Sequence, residues 1–294
     1  MILFEPFHLP FMARALVELV VLGALAGTVG VLVLLRRLAF VSDTLTHTVF
    51  PGVVIGHLMA GDGGIFWGAL AAGVATAVLL TLLTQRRRVS EDAALAMLLT
   101  TLFAVGVVIV SRQTGFTADL TAFLFGRVLT VTEAQLAQTA VVTVVVVALL
   151  AVLRRPLLLR AFDPEGAQAA GVRVGLLDLV LNVAVALVVV AAVKAVGTIL
   201  VIALLIVPAA AARSLSDRLA VIVPLACLVG AAAGWLGLVV SYEASVGYGV
   251  RLASGATVVL VLVAMYGLAH AAGFVRRKVG LSRARRRTVL EVSA

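Results

Sequence analysis

Long runs of Ala, Val, Leu and Gly, broken at short intervals by arginines or small polar clusters, set the pattern of this chain. Nine such runs are predicted as helices, over about 15–35, 38–60, 65–83, 93–110, 133–153, 176–193, 196–212, 219–240 and 252–275. Each is near the ~20 residues needed to cross ~30 Å of hydrocarbon. The sixth and seventh form one apolar stretch interrupted only by Lys194 and Gly197. A turn is expected at Lys194, because a lysine is better placed at the interface than in mid-membrane.

Composition turns that pattern into a class. Of the 294 residues, 63% are hydrophobic and 13% charged, with a mean hydropathy of +1.21. A soluble domain carries about 25% charged residues, so this chain is built for lipid. The net charge of +9 reads as topology rather than as a nucleic-acid footprint, because the cations collect in particular loops. Eighteen of the 23 Lys and Arg fall on one side, at 36–37, 86–88, 154–173, 213–218 and in the tail 276–287. The expected fold is therefore an all-α polytopic membrane protein with about nine transmembrane helices, the N-terminus outside and the C-terminus cytoplasmic. Residues 1–275 form a transmembrane domain with a cytoplasmic loop at about 154–175, and 276–294 form a basic cytoplasmic tail.

Smaller signals fill in the bundle. The single cysteine, Cys227, rules out an internal disulfide and reads as a small buried hydrophobe. Gly23/Gly27, Gly52/Gly56, Gly64/Gly68 and Gly230/Gly234 are small-xxx-small pairs suited to close helix packing, within the chain or in a dimer. Phe4, Phe7 and Phe11 with Pro6 and Pro10 suggest an interfacial segment, with no cleavable signal, and Trp67, Tyr242 and Tyr248 fall near the outer boundary.

One segment carries chemistry. Asp43 and His47 stand four residues apart on the second predicted span, roughly 6 Å along one helix face. Ionisable groups at that depth are costly and mark functional sites by default. A carboxylate oxygen and a neutral imidazole nitrogen on one face can both grip Mn²⁺ or Zn²⁺. The bland reading is a polar contact across the bundle, which does not require an ionised acid. Pro51 and Gly52 follow, so a kink is expected near 48–50, where freed carbonyls line a cavity. Two ligands leave the rest of a shell to water, backbone or a second subunit, and a sparse shell suits an ion that must leave again. His57, further out on the same span, is either an accessory station or an interfacial histidine. Glu18 either snorkels to the outer interface or joins the path. Asp178 and Asn182 are expected as polar contacts between helices, and His270 as structural.

The loop after the fifth span has definite start and stop signals. Asp163 suits an N-cap, Pro164 the first helical position, Glu165 the positive helix end and Gly171 a C-cap. Either a partner docks on this short helix or it is a solvated connector. No GxxxxGK[ST], HExxH or GxSxG motif occurs, so the chain is expected to hydrolyse no ATP itself and to be no enzyme.

Taken together, three stretches resemble the membrane subunits of bacterial ATP-binding-cassette importers for manganese, zinc and iron. They are 36–40 through Asp43, His47, Pro51 and Gly52; Leu124-Phe125-Gly126; and 162–171 through 196–201 to 208–210. The resemblance implies a multi-pass protein of the bacterial cytoplasmic membrane, working as two copies with two cytoplasmic ATPases and an external metal-binding protein. It implies that Asp43 and His47 coordinate the passing metal, and that Asp163, Pro164, Glu165, Ala167 and Gly171 belong to the helix that docks into the ATPase. No cofactor would stay bound; the cargo would be Mn²⁺ first, Zn²⁺ second, with Fe²⁺ a third choice. Pro51-Gly52 and 215–218 look closer to manganese and iron permeases. His57 and the basic tail depart from the pattern; the tail is expected to hold anionic lipid or the ATPase surface. The rivals are a gradient-driven secondary transporter using Asp43 and His47 as a proton relay, a metal-chelate permease and a non-transporting scaffold.

Overall fold

A computed structural model describes residues 5–85, 89–112, 126–250 and 252–292, without the side chains of 277 and 279–292. Leu124, Phe125, three arginines at 86–88, Arg251 and most side chains of the basic tail therefore lie outside the described residues. Among those described, every regular element is helical: α1 (Pro10–Leu35), α2 (Ala39–Thr48), α3 (Phe50–Gln85), α4 (Glu91–Ser111), α5 (Glu133–Val152), α6 (Arg154–Phe162), α7 (Pro164–Ala169), α8 (Val174–Leu215), α9 (Leu219–Gly247) and α10 (Ser254–Val292). Two 3-10 turns, Glu5–His8 and Val128–Thr130, complete the set.

Seven helical segments among the described residues are long and apolar enough to cross a membrane, so the chain is an all-α polytopic membrane protein. Two of the seven are too long for one crossing. The segment Ala39–Gln85 has 47 residues and Val174–Leu215 has 42, or roughly 70 and 63 Å of helix against ~30 Å of hydrocarbon. Each is interrupted by non-helical backbone, at Ala60 and Gly61 in α3 and at Gly197 in α8.

Both interruptions reverse the chain. In α3 the arms before and after the break pack antiparallel, with Gly52 against Gly68 and Gly56 against Gly64. A Cβ on any of the four would strike the opposing carbonyl oxygen. In α8 both ends lie at the same end of α1: Asp178 pairs with Arg36, and Leu205 abuts Gly30. The reversal falls at Gly197 (φ 78°, ψ 164°), a backbone region essentially reserved for glycine. Lys194, where the turn was expected, is still helical and exposed. Hydropathy registers its charge, but the backbone conformation decides where the chain turns. The turn is seated on the segment before α5, where Arg127 N donates to Ala195 O at 3.0 Å and Gly126 meets the backbone of Val196 and Gly197.

Around α8 the other helices assemble. It is buried along most of its length and packs against α1, α3, α9 and α10. Helix α9 runs antiparallel to α1, with Gly23 against Gly230 and Gly27 against Cys227. Cys227 is half-buried there, and its Sγ donates to Ala24 O at 3.4 Å. Each of the four small-residue pairs is thus used inside one protomer. The corner between α1 and α2 holds Arg37 at φ 58°. A side chain costs about 1–2 kcal/mol there, and Leu38 N closes the turn on Val33 O at 2.9 Å.

Candidate metal site

Helix α2 is short and polar because Ser, Asp, Thr and His crowd its ten residues. It stops at Val49, two residues before Pro51. Pro51 has no N–H, so the carbonyl of His47 loses the donor that a regular helix would supply four residues on. Counting from Ala39, His47 lies about 12 Å along the helix.

Asp43 and His47 form a partly open stripe on this helix. Val41, Ser42, Thr44, Leu45, Thr46 and Thr48 are buried, while Asp43 and His47 keep 40% and 32% of their side-chain surface and Phe40 is exposed. His47 Nε2 lies 3.8 Å from Asp43 Oδ1, too far for a hydrogen bond. Phe103 of α4 stands edge-on to the imidazole, ring centres 5.9 Å apart, and packs on Phe50 at 5.7 Å. Thr46 Oγ1 donates to the Asp43 backbone carbonyl at 2.6 Å. An acid and an imidazole therefore share one side of the protomer, flanked by aromatic rings, with no side-chain hydrogen bond to their coordinating atoms among the described residues. No group of three or more His, Cys, Asp or Glu able to hold a metal occurs among the described residues.

His57 is not brought to that pair. It lines a separate cavity of about 640 Å³ with Asp62, Arg127, Gln135, Gln138 and Lys194. There His57 Nδ1 faces Asp62 Oδ1 at 3.6 Å, and Lys194 Nζ donates to Asp62 O at 3.4 Å. Asp62 was not among the sequence candidates, because its proximity to His57 depends on the α3 reversal. Only the five-residue spacing hinted at it.

Glu18 does not snorkel. It is fully buried, and its Oε1 accepts at 2.8 Å from Oγ1 of Thr139 on α5, a residue that lines the same cavity. Losing that donor leaves a buried acid without its partner, which costs about 1–3 kcal/mol. Thr139→Val should therefore lower the thermal unfolding midpoint more than Thr143→Val, whose hydroxyl bonds only a backbone carbonyl. Equal midpoints for the two variants would show that the contact contributes nothing.

The loop at 154–175 is more structured than its local signals suggest. Helix α6 occupies the basic stretch read as loop, and Asp163 ends it while capping α7: Gly166 N donates to Asp163 Oδ1 at 2.8 Å. Pro164 and Glu165 open α7, Ala167 is buried, and Gly171 takes φ 77° where the chain leaves it.

A multi-pass helical bundle with an internal helix hairpin, a capped loop helix between spans and an acid–imidazole pair in a span defines the class as a polytopic helical membrane protein. The chain belongs to the ABC 3 transport family, whose model matches residues 8–272. It is 38% identical over 259 residues, 88% of this chain and 86% of the other, to the manganese transport system membrane protein MntC of Halalkalibacterium halodurans. It is 34% identical to the protein of the same name from Listeria monocytogenes over 281 residues, 96% of each chain. A solved structure of PsaBC from Streptococcus pneumoniae in complex with Fab is similar in fold, with a TM-score of 0.78, 28% identity and coverage of 91% and 94%. As a permease subunit of an ABC transporter the chain is not an enzyme; ATP hydrolysis belongs to a separate ATPase.

Proposed function

We propose that this chain is the permease of an ATP-driven importer of a divalent transition metal ion, which passes along a path that includes Asp43 and His47. Manganese is the first assignment, supported by relatives named as manganese transport proteins, with zinc second and iron third. The observation that carries the reading is the pair itself, a carboxylate and an imidazole on one face of a membrane-spanning segment, with no side-chain hydrogen bond to occupy them among the described residues. Such groups do not face acyl chains, and their stripe is open at the side of a single protomer. A second copy of the chain covers it, so that the path runs between two permeases.

The chemistry follows from the donors. Mn²⁺ prefers about six ligands with oxygen and imidazole among them. Asp43 and His47 offer two, and water, backbone or the second copy supplies the rest. Weak, incomplete ligation lets the ion leave. His57 and Asp62 form an accessory station in the outer cavity. With α3 and α8 each counted as two crossings, nine spans put the N-terminus outside and the basic tail in the cytoplasm, in a bacterial inner membrane. An external metal-binding protein delivers the ion, two cytoplasmic ATPases drive the cycle, and the loop with Asp163, Pro164, Glu165, Ala167 and Gly171 docks on them. The tail contacts anionic lipid.

The test is uptake of Mn²⁺, Zn²⁺ and Fe²⁺ into vesicles holding the chain with its ATPase and delivery protein, with and without ATP. ATP-dependent accumulation of one ion supports the reading. Uptake that follows an ion gradient and ignores ATP would replace it with a secondary transporter. The docking loop makes its own prediction. Losing an N-cap costs a helix about 1 kcal/mol, so Asp163→Ala should weaken co-purification of the ATPase several-fold while leaving metal binding intact. Unchanged co-purification would remove the cap from the docking surface.

A further inference from the structure

We propose that Asp178 is a positioning residue that ties the ATPase-facing loop to the helix bearing Asp43 and His47. This rests on the transporter reading above. Asp178 stands near the start of α8 and holds two arginines at once. Arg160 Nη2 donates to its Oδ2 at 3.2 Å, and Arg36 Nη1 lies 2.7 Å from its Oδ1. Arg160 is on α6, three residues before the Asp163 cap of α7. Arg36 follows α1 directly and stands three residues before the start of α2. One carboxylate thus joins the element that leads into the docking helix to the element that leads into the metal ligands.

The anchor itself is fixed. Gly175 is packed against Gln85, and Asn182 Nδ2 donates to Thr81 Oγ1 at 3.3 Å, so the first turns of α8 are held on the end of α3. The side chains of Arg36, Arg160 and Asp178 are 11%, 21% and 26% exposed. Charges buried to that degree are screened far less than surface pairs. Glu91 at the start of α4 is a further acid within electrostatic reach of this cluster, with Asp92 beside it. The corner that Arg36 borders is the one that keeps Arg37 at positive φ, a conformation that persists only when surrounding contacts hold it. A displacement of α7 by the ATPase moves α6 with it, because one residue joins them. The Arg160–Asp178–Arg36 bridge passes that displacement to the corner from which α2 starts.

The experiment compares native, Asp178→Asn and Asp178→Glu chains, each assembled with ATPase and delivery protein in vesicles, reading metal taken up per ATP hydrolysed. Asp178→Asn should assemble and hydrolyse ATP at close to the native rate while the ratio falls about tenfold or more, within the range of coupling free energies between sites. Asp178→Glu, which keeps the charge, should retain most of the ratio. An unchanged ratio in Asp178→Asn, or a parallel fall in assembly, hydrolysis and uptake, overturns the proposal. A second readout needs no metal: nitroxide labels at Phe40→Cys and Val246→Cys in a Cys227→Ala background, with the labelled chain diluted by unlabelled chain. ATP binding should shift this distance in the native chain and not in Asp178→Asn. Equal behaviour of the two overturns the coupling role. Failure of the native complex to take up any metal would instead sink the transporter reading, and the label distances would still decide the coupling.

Discussion

Asp43→Ala is expected to cut ATP-dependent Mn²⁺ uptake by the assembled transporter about 100-fold or more, beyond the 10–100-fold typical of losing a group that only supports a metal ligand. His47→Ala should fall nearly as far. The structural cost of either change is small. Asp43 and His47 keep over a third and about a third of their side-chain surface, and 3.8 Å separates their nearest polar atoms. Among the described residues, neither side chain is hydrogen-bonded to the other. Removing an acidic side chain from a membrane-spanning helix relieves a desolvation cost rather than creating one. The variants should accordingly match the native chain in expression, assembly with the ATPase and unfolding temperature, and lose only transport. Asp43→Asn sharpens the test, since it preserves shape and removes charge. If charge binds the ion, Asp43→Asn should resemble Asp43→Ala. Undiminished uptake in Asp43→Ala and His47→Ala would move the ion path elsewhere.

The pair was legible in the sequence because it rests on local facts: a four-residue spacing, a span's apolar surroundings and a proline that ends the helix. The cap at Asp163 was legible for the same reason, since capping chemistry acts over three residues. The all-helical, membrane-spanning character followed from composition. What stayed hidden is long-range. The pairing of Gly52 and Gly56 with Gly64 and Gly68 could not be told from packing against another subunit, since small-residue spacing says a helix can be approached closely, not by what. Charge drew the expected turn to Lys194, whereas the chain reverses at Gly197, where only glycine fits. Asp62 reached His57, and Thr139 reached Glu18, only through tertiary folding. Helix α6 was missed because its two adjoining arginines and Pro156 read as loop, although a proline is tolerated in a helix's first turn.

Those hidden contacts carry the second large effect, on folding rather than transport. Gly56→Leu should prevent accumulation of folded protein, whereas Gly267→Leu, whose added Cβ meets nothing within 4 Å, should behave as native. At Gly56 the new atom would strike the Gly64 carbonyl oxygen and sit 3.1 Å from the Gly68 Cα. These are backbone atoms, and backbone cannot rotate aside as a flexible side chain would. Overpacking a well-filled core costs about 1–3 kcal/mol and more where nothing can yield, against a total stability of only about 5–15 kcal/mol for a typical domain. Lipid adds no compensating drive, since helix association there depends on close packing itself. The damage would not stay local, because α3 begins one residue after α2 and its second arm packs against α8, where Gly73 meets Ala186 and Val190. Splaying the hairpin therefore displaces the helix that carries Asp43 and His47. The measurement is the fraction of detergent-extracted protein that elutes as a single species, together with its unfolding midpoint. A Gly56→Leu chain that folds and unfolds like Gly267→Leu would mean that the two arms of α3 do not meet through their glycines.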